Sequence, residues 1–456
     1  MFPKITPVRP FLAALATAAL LTAGCGSSGS SDGGRVVNVD PASLWKSVSN
    51  SVQPARALLG WEWGTFVNSF GPLLLNVRYT LDMQKVTYQS TGADGKQHSM
   101  SGLLILPKSI VGSLLGDTPA VPILMYQHGT EAYRSFAPSR YLDHQSRPKD
   151  YPEVMVAAAI AATGYAVALV DYEGLGDNLS TQPLVVGDAL AQQVIDLLKA
   201  SRDIIAGTGS PCRWNKQLFL MGYSEGGYVT MTATRELQAR YAGEFTVTAA
   251  APLSGPHDLS GSMRGIMLSD NTFKAPYFAP LLLAGYNYAY GNQTTFFSPA
   301  YALLPPYNMS MPPLVDGSSQ SDMISEAMGM TFSPVKLITP KSVMTPEFIA
   351  QLADESSPVV TFLKQNDSYR EWVPSVPIRM IHHRNDELVP YANSQIAFDA
   401  FSTAGAKMRT SRGPGVELVE ETATISIPTD PVKTVHFSAA FPELSRGWKW
   451  LDGFKK

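Results

Sequence analysis

The chain has 456 residues, of which 45% are hydrophobic and 16% are charged, and its net charge is −3. This composition is typical of a globular protein, and the length permits either one large α/β domain with an insertion or two to three domains. A chain without a long run of like charge is not typical of nucleic-acid-binding proteins, which present a basic face.

The first 24 residues resemble the signal peptide of a bacterial lipoprotein. Lys4 and Arg9 precede an apolar run at 11–23, which is too short to span a bilayer as a stable helix. Small residues then lead directly to Cys25, in the sequence Leu-Thr-Ala-Gly-Cys. We therefore expect cleavage before Cys25, lipidation of its thiol and export to the cell envelope. The alternative is an ordinary secretory signal with a coincidental cysteine.

Residues 25–39 are predicted to be the lipidated cysteine and a flexible tether, because residues 26–34 are Gly and Ser with a single Asp. Gly26 is compatible with anchoring in the outer membrane of a bacterium with two membranes. Cys212 is the only other cysteine, so no disulfide is expected once Cys25 is acylated. Two cysteines are too few for a zinc cluster, and we predict neither a metal nor another cofactor.

Residues 40–255 are predicted to form the first part of an α/β core. Alternation at 86–88 and 101–107, with Asp94-Gly95 between them, indicates a β-hairpin. Apolar runs and helical patterns then alternate, as in a parallel sheet whose strands are connected by helices. The predicted strands are Val121–Tyr126, Ala166–Val170, Leu218–Met221 and Val247–Ala251, and the predicted helices are Glu153–Ala162, Ala189–Ala206 and Gly226–Tyr241.

Residues 256–372 interrupt this alternation and are predicted to be a largely helical cap inserted in the sheet. The stretch is rich in Pro, Tyr, Phe and Met, and its part at 305–321 is a candidate mobile lid. Residues 373–456 are predicted to complete the core. The expected elements there are a strand at Ile378–His382, a helix from Tyr391, a hairpin around Gly413-Pro414-Gly415 and a last helix from about Ser438.

A serine lies in the sequence Gly-Tyr-Ser-Glu-Gly, at 222–226, between a predicted strand and a predicted helix. Small residues two positions to either side allow the tight turn that exposes a nucleophilic hydroxyl. The pattern alone is weak, but the strand before it and the helix after it favour Ser224 as the catalytic nucleophile. Otherwise Ser224 would merely cap the helix.

The acid and the base are expected to follow the serine in the chain. Asp386 comes after the buried strand at 378–382, at the edge where α/β sheets hold their sites, and Glu387 is its rival. His436 is the one histidine that follows both the serine and Asp386, and the order Ser, Asp, His is that of α/β-hydrolases. We expect His436 in a loop before the last helix. His257 is a weaker candidate for the substrate pocket.

An acyl-transfer enzyme needs two N–H donors aimed at the oxygen of its tetrahedral intermediate. The residue after the nucleophile, Glu225, would supply one main-chain N–H. Gln127-His128-Gly129-Thr130 ends a buried strand earlier in the chain, and the N–H of Thr130 is the predicted second donor. His128 itself is interpreted as structural. Alternatively, this loop is only a turn at the end of a strand.

Together these motifs resemble the secretory lipase family and related bacterial lipases of the α/β-hydrolase superfamily, over about residues 80–456. The resemblance rests on the hairpin, Gln127-His128-Gly129, a strand ending in Asp171, the Gly-Tyr-Ser-Glu-Gly-Gly turn, Asn385-Asp386 and His436. It implies the α/β-hydrolase fold, with a mostly parallel central sheet, helices on both faces and the inserted cap. The triad of the family falls on Ser224, Asp386 and His436, and its oxyanion donors fall near Thr130 and Glu225.

The predicted function is therefore that of a serine carboxylic ester hydrolase, a lipase or esterase that acts on a small-molecule or lipid ester through an acyl-enzyme. The predicted partners are this ester and, through Cys25, the membrane, whereas no nucleic acid is expected. A serine peptidase or an acyltransferase on the same fold would share the chemistry. A non-catalytic binding lipoprotein is a third alternative.

Overall fold

The computed structural model describes residues 37–39, 65, 68–71, 77–109, 118–409, 415–421 and 432–456. The predicted signal peptide, Cys25 and most of the tether lie outside these residues. Strand β1, Val37–Val39, shortens the predicted tether, because this stretch pairs with an edge of the sheet. None of the helices in the described ranges is long and apolar enough to cross a membrane.

A sheet of nine strands forms the centre of the described chain. The strands after β1 are β2 Thr80–Thr91, β3 Gln97–Lys108, β4 Ala120–Gln127, β5 Ala166–Val170, β6 Arg213–Tyr223, β7 Val247–Leu253, β8 Ile378–His383 and β9 Val416–Glu421. Their order across the sheet is β1-β2-β3-β5-β4-β6-β7-β8-β9. The six strands from β5 to β9 in this order are parallel, and the first three are antiparallel to their neighbours. The predicted mostly parallel sheet is confirmed.

The helices alternate with these strands or lie between β7 and β8. Those with described bounds are α1 Pro152–Ala161, α2 Gly187–Ala206, α3 Glu225–Arg240, α4 Arg264–Leu268, α5 Phe278–Tyr290, α6 Pro299–Ala302, α7 Tyr307–Ser310, α8 Ser321–Ala327, α9 Pro346–Ala353, α10 Pro358–Gln365, α11 Ala392–Thr403 and α12 Val435–Asp452. Short 3₁₀ segments lie at Arg134–Phe136, Pro138–Asp143, Pro148–Asp150, Pro312–Leu314 and Pro340–Val343, and a π-helical turn lies at Leu259–Met263.

Helices cover both faces of the sheet, as predicted. Successive residues of a strand point to opposite faces, and β6 shows the consequence. Leu220 belongs to the hydrophobic core that contains α2 and α3, whereas Phe219 and Met221 belong to the core that contains α1 and α12. All three side chains are fully buried, which explains why the strand is a continuous apolar run in the sequence.

The chain between β7 and β8 contains α4 to α10 and a small antiparallel hairpin whose two strands, Thr331–Phe332 and Val335–Lys336, have two residues each. Its apolar side chains join the core on the α2 and α3 face. The candidate lid is attached to the core, since Arg134 donates its main-chain N–H to the Gly317 carbonyl at 2.8 Å and its guanidinium to the Asp316 carbonyl. Motion of this segment stays a prediction.

One expectation near the C-terminus differs from the structure, and another falls mostly outside the described residues. Of the hairpin predicted around Gly413-Pro414-Gly415, residues 410–414 are not described, and the strand that follows, β9, pairs parallel with β8. α12 begins at Val435 and not near Ser438, because Thr434 caps the helix by accepting the Phe437 N–H at 3.0 Å. His436 therefore lies in the first turn of a helix and not in a loop.

Candidate active site

Ser224 lies at the sharp turn between β6 and α3, where the sequence predicts it. Its backbone has φ 60° and ψ −125°, which is a strained combination for a residue with a side chain. A Cβ on Gly226 would lie 2.0 Å from the Gln127 carbonyl oxygen, and a Cβ on Gly222 would lie 2.4 Å from the Gly226 carbonyl oxygen. Only glycine fits at these two positions, so both glycines permit the turn that presents the serine hydroxyl.

Ser224, His436 and Asp386 are distant in sequence but form one chain of hydrogen bonds. The Nε2 atom of His436 lies 2.8 Å from Ser224 Oγ, and its Nδ1 atom lies 2.5 Å from Asp386 Oδ2. Tyr223 donates its hydroxyl to the His436 carbonyl at 2.6 Å, which fixes the backbone of the histidine. The neutral imidazole with its proton on Nδ1 can donate to Asp386 and accept from the serine hydroxyl.

The carboxylate of Asp386 is held from several directions. Its Oδ1 atom accepts the N–H of Leu388 at 3.0 Å and of Val389 at 2.9 Å, and His382 Nε2 lies 3.4 Å from its Oδ2 atom. Burial by itself would raise the pKa of Asp386. The imidazole of His436 and hydrogen bonds from both histidines outweigh this and hold the pKa well below its usual range. Asp386 is therefore ionised at neutral pH and fixed against His436.

Glu387, the rival acid, contacts the backbone of the last helix and not the imidazole. Its two carboxylate oxygens accept the Val435 N–H at 3.1 and 3.0 Å. Its Oε1 atom also lies 3.2 Å from Nζ of Lys274. The structure thus separates the two neighbouring acids, because Asp386 contacts His436 and Glu387 secures the turn that carries it.

The loop after β4 passes directly beside the serine, since a Cβ on Gly129 would lie 3.7 Å from Ser224 Cβ. The main-chain N–H groups of Thr130 and Glu225 make no hydrogen bond with the described residues, and both residues line the same cavity as Ser224. The Nδ1 atom of His128 lies 2.6 Å from the Gly129 carbonyl oxygen. Two unused donors therefore lie next to the serine, on the residues that the sequence predicts.

Three carboxyl groups lie around this loop, on Glu131, Glu153 and Glu225. Burial raises the pKa of each to about 7, and neighbouring carboxyl groups add to this at Glu153 and Glu225. The oxygens of Glu225 lie near the Thr130 hydroxyl but make no hydrogen bond of regular geometry. These three groups around the loop therefore carry less negative charge at pH 6 than at pH 8. Glu131 and Glu153 belong to no sequence motif, so the sequence gives no signal for them.

An apolar cavity of about 700 Å³, including its opening, extends from Ser224 to the residues between β7 and β8. Its walls come from the loop after β4, the turn before α2, and α4 and α5. Glu225 is the one ionisable residue among those that line it in the described chain. The aliphatic part of the lining includes Leu184, Leu259, Met263, Ile266, Met267 and Leu282. This arrangement suits an apolar ligand group beside the serine.

Other residues that the sequence singled out lie outside this cavity. His257 is buried with its Nδ1 atom 2.8 Å from Ser368 Oγ, and burial lowers its pKa to about 3. His128 packs on Tyr172, whose hydroxyl donates to the His128 carbonyl at 3.2 Å, and burial lowers the pKa of His128 to about 4. Burial raises the pKa of Cys212 to about 12. None of these groups is placed to attack a substrate.

The chain is similar to several known proteins. A model of the secretory lipase family matches residues 149–291. A presumed hydrolase from Legionella pneumophila has 23% identity and a TM-score of 0.69, with 92% of this chain and 98% of that chain covered. The rice cell wall degrading esterase LipA from Xanthomonas oryzae has 23% identity and a TM-score of 0.69, with 85% of this chain and 96% of that chain covered. Candida antarctica lipase A in its closed state has 16% identity and a TM-score of 0.54, with 78% of this chain and 74% of that chain covered. No curated protein matches the chain.

These comparisons confirm the α/β-hydrolase fold and the expected resemblance to the secretory lipase family. The matched segment contains α1, α2, β6, α3 and Ser224, and it ends at the end of α5. The comparisons therefore show the α/β-hydrolase fold and a similarity of residues 149–291 to secretory lipases.

Proposed function

We propose that this chain is a carboxylic ester hydrolase that acts through Ser224, His436 and Asp386 as a catalytic triad and forms a covalent acyl-enzyme on Ser224. The observation that supports the proposal most is the unbroken chain of hydrogen bonds from Ser224 Oγ through both nitrogens of His436 to Asp386. An imidazole that contacts both the hydroxyl and the carboxylate is positioned for general-base catalysis.

The reaction proceeds in two acyl-transfer steps. His436 Nε2 takes the proton of the Ser224 hydroxyl while Oγ attacks the ester carbonyl carbon, and the same proton passes to the leaving alcohol as the ester C–O bond breaks. His436 then takes a proton from water, whose oxygen attacks the acyl carbon. The carboxylic acid leaves, and the proton returns to Ser224 Oγ. Throughout, Asp386 keeps the other proton on Nδ1 and stabilises the imidazolium.

The oxyanion of each tetrahedral intermediate accepts the main-chain N–H groups of Thr130 and Glu225. Both groups are unused in the described structure and belong to residues that line the cavity with Ser224. Glu225 is also the first residue of α3, and the N-terminus of a helix favours negative charge. Removal of one such donor in comparable enzymes lowers kcat by about 10²–10³-fold.

The acyl part of the substrate is a lipid or short-acyl chain that occupies the apolar cavity next to Ser224. Each buried methylene of such a chain contributes about 0.8 kcal/mol, so binding improves with length until the cavity is filled. A peptide would place its polar main chain against the same apolar walls at a desolvation cost. The lining therefore favours an ester with an apolar acyl group over a peptide.

The enzyme is exported and held at the cell envelope, in the outer membrane, by lipid on Cys25. The family that the chain matches is named for secretion, and the sequence Leu-Thr-Ala-Gly precedes Cys25. The test is metabolic labelling with a radioactive fatty acid. The full chain incorporates the label and fractionates with membranes, and Cys25→Ser does neither. Equal labelling of Cys25→Ser would refute lipidation at this position.

The test of the triad is hydrolysis of p-nitrophenyl esters from acetate to palmitate by the full chain. Ser224→Ala and Asp386→Asn lower kcat by a factor on the order of 10⁴ or more, with the fold unchanged by circular dichroism. Mass spectrometry of the enzyme during turnover finds the acyl group on the peptide that contains Ser224. Activity that survives in Ser224→Ala would contradict the mechanism.

The same preparation separates the alternatives. A peptidase hydrolyses the p-nitroanilide of an acyl group better than its p-nitrophenyl ester, and an acyltransferase transfers the acyl group to an added alcohol in preference to water. A binding lipoprotein hydrolyses neither substrate and retains the acyl compound.

A further inference from the structure

We propose that Glu153 is a positioning residue that holds the loop at 127–130 so that the Thr130 N–H points at the oxyanion. The inference rests on the proposed function, since it concerns how the oxyanion site is kept in shape. Glu153 lies on α1, outside all the motifs that carry the resemblance, and does not itself touch the reacting atoms.

The carboxyl group of Glu153 joins the end of β4 to the loop that follows it. The Gly129 N–H donates to Glu153 Oε2 at 3.1 Å and to Oε1 at 3.3 Å. The hydroxyl of Tyr126 donates to Oε1 at 3.1 Å. Glu153 is the second residue of α1, directly after Pro152, so its backbone is set by a helix that packs on the sheet. A rigid element thus holds the loop by its main chain.

This anchor matters because Gly129 has no side chain of its own to fix its backbone. Glycine populates several regions of φ and ψ with similar ease, so an unheld glycine before the donor would let the next peptide group rotate. In the structure the N–H of Gly129 is held by Glu153, and its carbonyl is held by the imidazole of His128. The following N–H, on Thr130, is left without a partner in the described residues.

A donor that is held in place before the reaction stabilises the transition state without reorganising, whereas it contributes little to ground-state binding. Loss of the anchor is therefore expected to lower kcat and to leave KM nearly unchanged. A purely structural role of Glu153 would instead lower the melting temperature and leave kcat of the remaining folded enzyme intact. These two readouts distinguish positioning from structural support.

The matched control is Glu347, which follows Pro346 at the start of α9 just as Glu153 follows Pro152 at the start of α1. Glu347 is exposed. Glu153→Leu in the full chain is expected to lower kcat by about 10–100-fold and to change KM by less than about twofold. The expected loss is smaller than the roughly 10²–10³-fold that follows complete removal of an oxyanion donor, because the Thr130 N–H is displaced and not removed. Glu153→Gln, which keeps an acceptor oxygen, stays within about threefold of the wild type, and Glu347→Leu is unchanged.

A boronic acid that mimics the tetrahedral intermediate is the second probe, because its affinity reports the oxyanion site without turnover. Its Kd rises in Glu153→Leu by the same factor as kcat/KM falls. Where Glu153→Leu does not fold, Glu153→Asp gives the same comparison, since it keeps a carboxyl group but withdraws it from Gly129 by one methylene. Unchanged kcat and Kd in a folded variant, or equal loss in Glu153→Gln and Glu153→Leu, would overturn the inference. An inactive wild type would instead refute the proposed function.

Discussion

Glu387 accepts the main-chain N–H of Val435 with both carboxylate oxygens, at 3.1 and 3.0 Å, one residue before His436. The same carboxylate pairs with Lys274 at 3.2 Å, and the Lys274 ammonium also donates to the Lys433 carbonyl at 2.6 Å. The helix turn that carries the proposed base is therefore tied to the loop that carries the proposed acid and to the segment between β7 and β8.

We expect Glu387→Ala to lower kcat by about 3–30-fold, because a displacement of roughly 1 Å in a catalytic group can cost about 10²-fold. Glu387→Gln keeps an acceptor for the Val435 N–H and should lie closer to the wild type. Steady-state hydrolysis of p-nitrophenyl butyrate measures both variants. Glu326→Ala, at an exposed position of α8, is the control. Equal rates for Glu387→Ala and the wild type would show that this contact does not position His436.

The turn at Ser224 predicts that Gly226 tolerates no side chain. A Cβ there would lie 2.0 Å from the Gln127 carbonyl oxygen, whereas a Cβ on Gly243 meets nothing within 4 Å. Overpacking of this kind usually costs about 1–3 kcal/mol and sometimes more. Gly226→Ala should therefore lower the midpoint of urea unfolding and reduce kcat, and Gly243→Ala should change neither. The idea fails if both variants behave alike.

We predict that a larger side chain on α5, in the wall of the cavity beside Ser224, makes the enzyme prefer esters with shorter acyl chains. Ala279 lines the cavity, and phenylalanine there would displace two or three buried methylenes of the substrate. At about 0.8 kcal/mol each, this corresponds to roughly 10–60-fold in kcat/KM for the octanoate ester. The acetate ester should change less than about threefold. Ala300→Phe, at an exposed position of α6, is the control, and a loss that is equal for both esters would argue against this acyl site.

Because the Glu225 carboxyl is buried, we predict that its replacement by a neutral amide stabilises the protein more at high pH than at low pH. Burial raises its pKa from 4.5 to about 7, so between these values the folded state binds more protons than the unfolded state. The contribution of Glu225 to stability is therefore lost as the pH rises through this window. Glu225→Gln does not titrate, and we expect its stability relative to the wild type to increase by about 1–3 kcal/mol from pH 5 to pH 8.

Urea unfolding of both proteins at pH 5 and pH 8 measures this difference. Glu326→Gln, at an exposed position, should show the pH dependence of the wild type. A Glu225→Gln variant that parallels the wild type at both pH values would mean that the carboxyl is not buried with a raised pKa.

Most of the central sheet could be predicted from the sequence. Strands that are buried on both faces, such as β5 and β6, require apolar side chains at every position, and a continuous apolar run is visible without a structure. Ser224 could be located because its turn requires glycine at 222 and 226, which is a local steric condition. The position of β9 could not be predicted, because the partner of an edge strand depends on the path of the chain around it.

The sequence by itself determined the order of the strands from β2 to β8 and of helices α1 to α3, since these follow from local periodicity. It also singled out Ser224 from the requirements of its turn, and Asp386 and His436 from their order in the chain. Only the tertiary structure decided which of two consecutive acids contacts the imidazole. Asp386 and Glu387 carry the same carboxyl group, and they differ in whether that group points to the imidazole or to the backbone of the last helix. It also decided the contact of Glu153 with Gly129, 24 residues away in the chain. Such contacts depend on how α1 packs against the sheet, and no short-range pattern encodes that packing.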